Sequence, residues 1–175
     1  MNLKKIKIIA VFLTFLIAFP IHFIYDLFPN PIISIFIPVN ESIWEHMKIL
    51  FTVQILYSII DYKLIKHYNI KINNFKFNIF FTSFISIPIY LLLYLPLYFI
   101  FKENMFISIS LILIVFAITQ YISYKILTSK NNSKLNFISI PLIILCYIIF
   151  TILTYYPPHN FLFYDTANKL YGIKK

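Results

Sequence analysis

Acids and histidines are scarce in this chain of Ile, Phe, Leu and Tyr, yet most of them gather in a few short strings. The densest is Asn40-Glu41-Ser42-Ile43-Trp44-Glu45-His46, which holds two of the six acids, one of the four histidines and the one tryptophan. On a helix Glu41 and Glu45, four residues apart, stack their carboxylates on one face, and His46 lies about 100° further round. Like charges so placed repel unless a cation or a shared proton lies between them. With a histidine beside them they make half of a divalent-metal site, or a general acid/base group. A second string, His22-Phe23-Ile24-Tyr25-Asp26, places a histidine and an acid at the same i, i+4 spacing. Together the strings nominate His22, Asp26, Glu41, Glu45 and His46 as ligands of a divalent ion, most simply zinc. Glu41 and His46 are the candidate catalytic groups. Asn40 and Trp44 are further site candidates, and so are His159 and Asp165 of the closing string "YYPPHNFLFYDT", read as a lid.

A plainer account of the same residues stands beside this one. Ser42 and Glu45 fit a capping box, with Ser42 accepting from the Glu45 amide and Glu45 reaching back. An acid in the first turn suits the helix dipole, and Trp44 suits an interfacial aromatic belt. That account uses Ser42, Trp44 and one glutamate, and makes no use of Asn40, Glu41 and His46. His22 and Asp26 likewise read as an interfacial hydrogen bond, and the tail as an aromatic anchor. The two accounts part at Glu41.

The elements that must position these residues are membrane helices. The chain is 61% hydrophobic and 12% charged, with a mean hydropathy of +0.83, whereas soluble domains carry roughly 25% charged residues. Several apolar runs exceed the ~18 residues expected of a spanning helix. The expected fold is all-α, a single membrane domain over 1–175 with five spans near 6–28, 42–62, 78–101, 104–127 and 137–156. The first span follows a basic leader, but Ala18-Phe19-Pro20-Ile21 offers no cleavage site, so it reads as a retained helix. Residues 29–41, apolar and interrupted by prolines, read as an interfacial or re-entrant segment. Residues 157–175 read as an outer tail, in which the one glycine, Gly172, marks a position needing positive φ. With so little glycine, close GxxxG packing is excluded, and Ser, Thr and bulky side chains must hold the helices together.

Lysine placement sets the orientation. Lys4, Lys5, Lys7, Lys63, Lys66, Lys71, Lys76, Lys125, Lys130 and Lys134 share one side of a five-span chain, and Lys48, Lys102, Lys169, Lys174 and Lys175 share the other. The richer side reads as cytoplasmic, so the N-terminus is inside and the C-terminus outside. All the acids but Asp61 fall outside, as do His22, His46 and His159. The sequence pI near 9.5 is thus a positive-inside pattern facing anionic lipid, and nucleic acid is excluded as a partner. Cys146 is a lone buried thiol and forms no disulfide framework.

The strings "PVNESIWEH", "HFIYD" and "YYPPHNFLFYD…YG" resemble an uncharacterised family of small multi-pass bacterial membrane proteins. The likeness spans most of the chain, and Asn-Glu-Ser-x-Trp-Glu-His is its most specific part. That family has no established activity, so the resemblance implies a membrane protein and supplies no mechanism. No P-loop, dinucleotide fingerprint, Gly-x-Ser-x-Gly or His-Glu-x-x-His occurs. The residues themselves lead to a metal-assisted hydrolase in the cell membrane, acting at the outer leaflet on a lipid or lipid-linked substrate. The alternatives are a carrier or binding subunit for a small polar or cationic solute, or a structural partner in a larger membrane protein complex.

Overall fold

The structure, a computed structural model, describes residues 1–173; Lys174 and Lys175, placed in the outer tail above, lie outside them. Its elements are α1 (Leu3–Leu27), α2 (Pro31–Phe36), α3 (Ile43–His67), α4 (Phe75–Phe101), α5 (Met105–Thr128) and α6 (Ser133–Tyr155), followed by a two-residue hairpin, β1 (Tyr164–Asp165) and β2 (Leu170–Tyr171). Asparagine starts five of the helices and caps four of them with its side chain. Asn2, Asn30, Asn104 and Asn132 each turn a side-chain oxygen onto a first-turn amide of the helix that follows, satisfying donors that a helix start leaves free. Ser42 does the same for α3 through the Glu45 amide.

Four helices, α1, α4, α5 and α6, are long and apolar enough to cross a membrane. This is the pattern of a multi-pass membrane protein, and it leaves large apolar side chains such as Phe12, Leu16, Leu92 and Phe137 exposed on the helix surfaces. Where the sequence suggested five such spans, α3 is too polar to count among them despite its 25 residues. The reason is its position. α3 packs against both α1 and α4 and buries Glu45, Lys48, Thr52, Gln54 and Asp61 along with its apolar residues, so protein, not lipid, solvates its polar groups. The residues between α1 and α3 form the short helix α2, which packs chiefly on α6.

The bundle has two distinct ends. At one, Leu3 and Ile6 of α1 pack with Ile65 of α3 and Leu127 of α5, and the Lys7 ammonium donates to the Asp61 carboxylate in a buried ion pair. Asn74, held at φ 56° before α4, donates to Ser129 and the Lys130 carbonyl and accepts from the Asn132 amide. At the other end, the α1–α3 segment, the Lys102–Asn104 turn and the hairpin come together, and Thr166 donates to Glu103. The lysine-rich segments and the acidic strings therefore occupy opposite ends.

The Lys7–Asp61 pair yields a stability test. Lys7→Met leaves a buried carboxylate alone and should lower unfolding stability by about 3–5 kcal/mol. Lys7→Met with Asp61→Leu should restore most of that loss. Thermal unfolding in detergent measures both, and an equal loss in single and double variants would contradict the pairing.

Candidate metal centre

Three elements bring three donors together. His22 projects from the last turns of α1, Glu41 lies in the connection just before α3, and His46 sits in the first turn of α3. Glu41 Oε2 is 3.3 Å from His22 Nε2 and 3.7 Å from His46 Nε2. One ligand atom from each residue lies within 4.8 Å of the others. The two imidazole centroids are 5.4 Å apart.

The His46 ring is oriented from behind. Its Nδ1 is 2.9 Å from the Ser42 carbonyl oxygen, which only accepts, so Nδ1 carries the hydrogen. In the neutral ring the Nε2 lone pair then faces the Glu41 carboxylate. Two acceptors facing each other are reconciled only by a proton or a cation between them. Fixing a ligand histidine through its other nitrogen to a backbone carbonyl is the usual outer-shell arrangement of metal sites. His22 lacks such a partner, and its buried Nδ1 makes no hydrogen bond among the described residues. The hydrogen bond donated by His22 holds the Glu41 carboxyl below the usual carboxylate range, and His46 adds to this while burial opposes it.

Glu41 is placed by the tail. Asp165 in β1 accepts the Glu41 amide at 3.1 Å, and also the backbone and side-chain N–H groups of Asn168 at 2.9 Å. Burial works to raise the Asp165 carboxyl, but these donors keep it below its ordinary range. Asn40 donates to the Gly172 carbonyl at 2.7 Å and accepts the Ser42 amide at 2.9 Å. Gly172 has φ +68°, as its solitary occurrence suggested, and a Cβ there would lie 2.9 Å from the Thr154 carbonyl oxygen. Trp44 stacks on Phe163 at 4.8 Å while its amide donates to the Leu162 carbonyl at 2.8 Å. The tail is thus a brace on the α3 start.

The remaining nominated residues fall elsewhere. Glu41 precedes the helix, so it does not stack on Glu45. Glu45 instead turns inward to Lys48, 2.7 Å away, accepts from Thr154 at 2.7 Å, and reaches back to the Val39 amide at 3.1 Å. Its carboxylate is fully engaged and supplies no donor to the His22–Glu41–His46 group. The capping box is therefore modified: Ser42 caps Glu45, but Asn40, not Glu45, takes the Ser42 amide. Asp26 lies outside the three-residue group and lines a neighbouring cavity. His159 stacks on Tyr171 at 4.4 Å, apart from the cluster. Sequence reasoning missed Lys48 as a partner, although its i, i+3 spacing from Glu45 was a usable signal. Glu103 carried no local signal for its place beside the site.

Two cavities meet at the His22–Glu41 pair. One, of about 500 Å³, runs between α1 and α5 and is walled mainly by apolar side chains, with His22, Glu41, His46 and Glu103 among its polar contacts. The other, of about 450 Å³, is predominantly polar and is lined by His22, Tyr25, Asp26, Asn40, Glu41 and Asp165 among others.

Residues 1–173 match the family described as "Family of unknown function (DUF6512)". The chain belongs to that family. No curated protein and no solved structure matches it. DUF6512 membership agrees with the resemblance drawn from the Asn40–His46 string and, like it, leaves the chemistry to be argued from the site.

If the tail braces the site, Gly172→Ala should lower unfolding stability by about 1–3 kcal/mol, because φ there is left-handed and the added methyl meets backbone. Detergent-based thermal unfolding checks this, and an unchanged transition would refute the brace.

Proposed function

We propose that this DUF6512 protein is a metal-dependent hydrolase of the cell membrane, with His22, Glu41 and His46 as three ligands of a divalent ion, most simply zinc. The observation that carries the reading is the His46 geometry: Nδ1 anchored on Ser42 and Nε2 directed at a carboxylate it shares with His22. Two nitrogens and one oxygen suit zinc, whose tetrahedral ligands stand about 3.3–3.5 Å apart at ordinary bond lengths. Three protein ligands leave a fourth position for water, the arrangement of catalytic sites. A zinc ion held by His22, Glu41 and His46 would supply a water acidic enough to serve as a nucleophile at neutral pH. Its binding would displace the proton shared by His22 and Glu41. The second Glu41 oxygen remains to accept a proton from the water. Hydrolysis would add that water across an acyl or phosphoryl bond, hydroxyl to one product and hydrogen to the leaving group.

The lysine distribution supports an N-terminus in the cytoplasm, with α3 running the length of the bundle and the metal centre at the outer leaflet. A second reading, a carrier for a small polar or cationic solute, rests on a different observation. Tyr57, Asp61, Gln120 and Ser123, along α3 and α5, each hold a buried polar atom with no hydrogen bond among the described residues. Such atoms suit a hydrated path.

Zinc titration of metal-stripped protein followed by elemental analysis tests the site. Wild type should bind one ion per chain, and Glu41→Gln or His46→Ala should abolish binding without altering the unfolding transition. Ser42→Ala should do the reverse, losing about 0.5–2 kcal/mol of stability and keeping the metal. Zinc binding by Glu41→Gln equal to wild type would remove the metal reading and favour the carrier.

Orientation is tested separately with cysteines introduced into a Cys146→Ala background. A membrane-impermeant maleimide should label Lys169→Cys on intact cells and Asn131→Cys only after permeabilisation. Labelling of both from one side would refute the topology.

A further inference from the structure

The α1/α5 cavity has a shape that a water-soluble substrate does not require. Its walls are Phe15, Phe19 and Phe23 from α1 and Met105, Ile109 and Ile112 from α5. The spacings i, i+4, i+8 and i, i+4, i+7 put each set on one helix face. The two helices are held at the lysine-rich end by the Leu3, Ile6 and Leu127 cluster, and the cavity occupies the opposite half. Phe19, Phe23 and Met105 stay exposed there, at 42%, 55% and 72%, so the cleft opens on an apolar flank of two helices apolar enough to cross a membrane. The ionisable groups that line it, His22, Glu41, His46 and Glu103, lie at the end where the polar cavity begins.

We infer that this cleft holds the single hydrocarbon chain of an amphiphile that enters sideways from the bilayer, with its polar head at the His22–Glu41 pair. The inference rests on the reading above for the chemistry at the head, but chain binding does not require the metal. A cavity of about 500 Å³ falls in the range of roughly 300–1,000 Å³ that holds one small ligand. It takes one chain, not two side by side. Burial of that chain among Phe, Ile and Met replaces lipid neighbours with equally apolar ones, so selectivity comes from the head and its distance from the cleft floor. The polar cavity on the far side of His22 and Glu41 gives the head, and the water that reacts with it, a route that never crosses hydrocarbon. Hydrolysis of a lipid needs both routes at one point, and the His22–Glu41 pair is that point.

A lysophosphatidylcholine with a photoreactive diazirine in its chain tests the cleft on wild-type protein in nanodiscs. Illumination and mass spectrometry should place the adducts on Phe15–Phe23 and Met105–Ile112, and excess unlabelled lysophosphatidylcholine should suppress them. Ile112→Trp, which fills the cleft, should cut labelling by an order of magnitude or more while zinc binding stays at wild-type level; Ala18→Phe serves if the first variant misfolds. His46→Ala should lose zinc and keep the label. Adducts spread over lipid-facing positions such as Leu92 and Phe137 without competition, or a filled cleft that labels as wild type, would overturn the inference. Labelling of the cleft in a wild-type protein that binds no zinc would leave the chain site standing and remove the metal reading alone.

Discussion

The start of α3 depends on the buried ion pair between Glu45 and Lys48. Glu45 spans the Val39 amide and Thr154 of α6, and Lys48 donates to the Ser34 and Ile37 carbonyls and to Thr154. One pair of charges thereby joins α2, the connection before α3, α3 itself and α6. Removing a charge of either sign strands its partner in a low-dielectric interior, which costs far more than an exposed pair contributes. The pair is isolated from water, and each remaining donor or acceptor has a protein partner. Glu41 sits four residues before Glu45, and its position follows from how this knot fixes the chain between Ile37 and Ser42.

The two glutamates therefore divide the work that their sequence spacing seemed to share. Glu45 is structural, held by a cation from its own helix. Glu41 stands outside the helix, where its backbone is fixed by Asp165 and its carboxylate is free to meet two histidines. The separation has an electrostatic basis: an internal lysine already neutralises Glu45, whereas the Glu41 carboxylate lies beside His22 and His46 with no lysine paired to it among the described residues.

Much of this was legible from residues alone. Long apolar runs located the helices to within a few residues, and Ser42 as a cap, Gly172 at positive φ and the gathering of acids at one end all followed from local chemistry. The failures have a common cause. Whether Glu41 lies inside or outside a helix is decided by one residue of cap geometry, and that residue determines which way a carboxylate turns. Asp26 and His159 lie near the right end of the bundle, but sequence gives no azimuth for a helix end or a tail. The distinction between α3 and the other long helices was visible as Glu45, Lys48 and Asp61 in one run. Its meaning required knowing that α1, α2 with the connection after it, and α6 supply the partners.

That composition bears on how the protein is made. In translocon insertion, a charged residue at the middle of a helix costs about 2.5–3.5 kcal/mol, and α3 carries Asp61 within its length besides Glu45 and Lys48 near its start. Lys7, which answers Asp61, has already been synthesised when α3 emerges; Thr154, which completes the Glu45–Lys48 knot, comes about a hundred residues later. The partners of α3 thus become available in two stages, α1 before it and α6 after it. His22, Glu41 and His46 all lie within the first forty-six positions, but residues 162–172 brace the segment that carries Glu41.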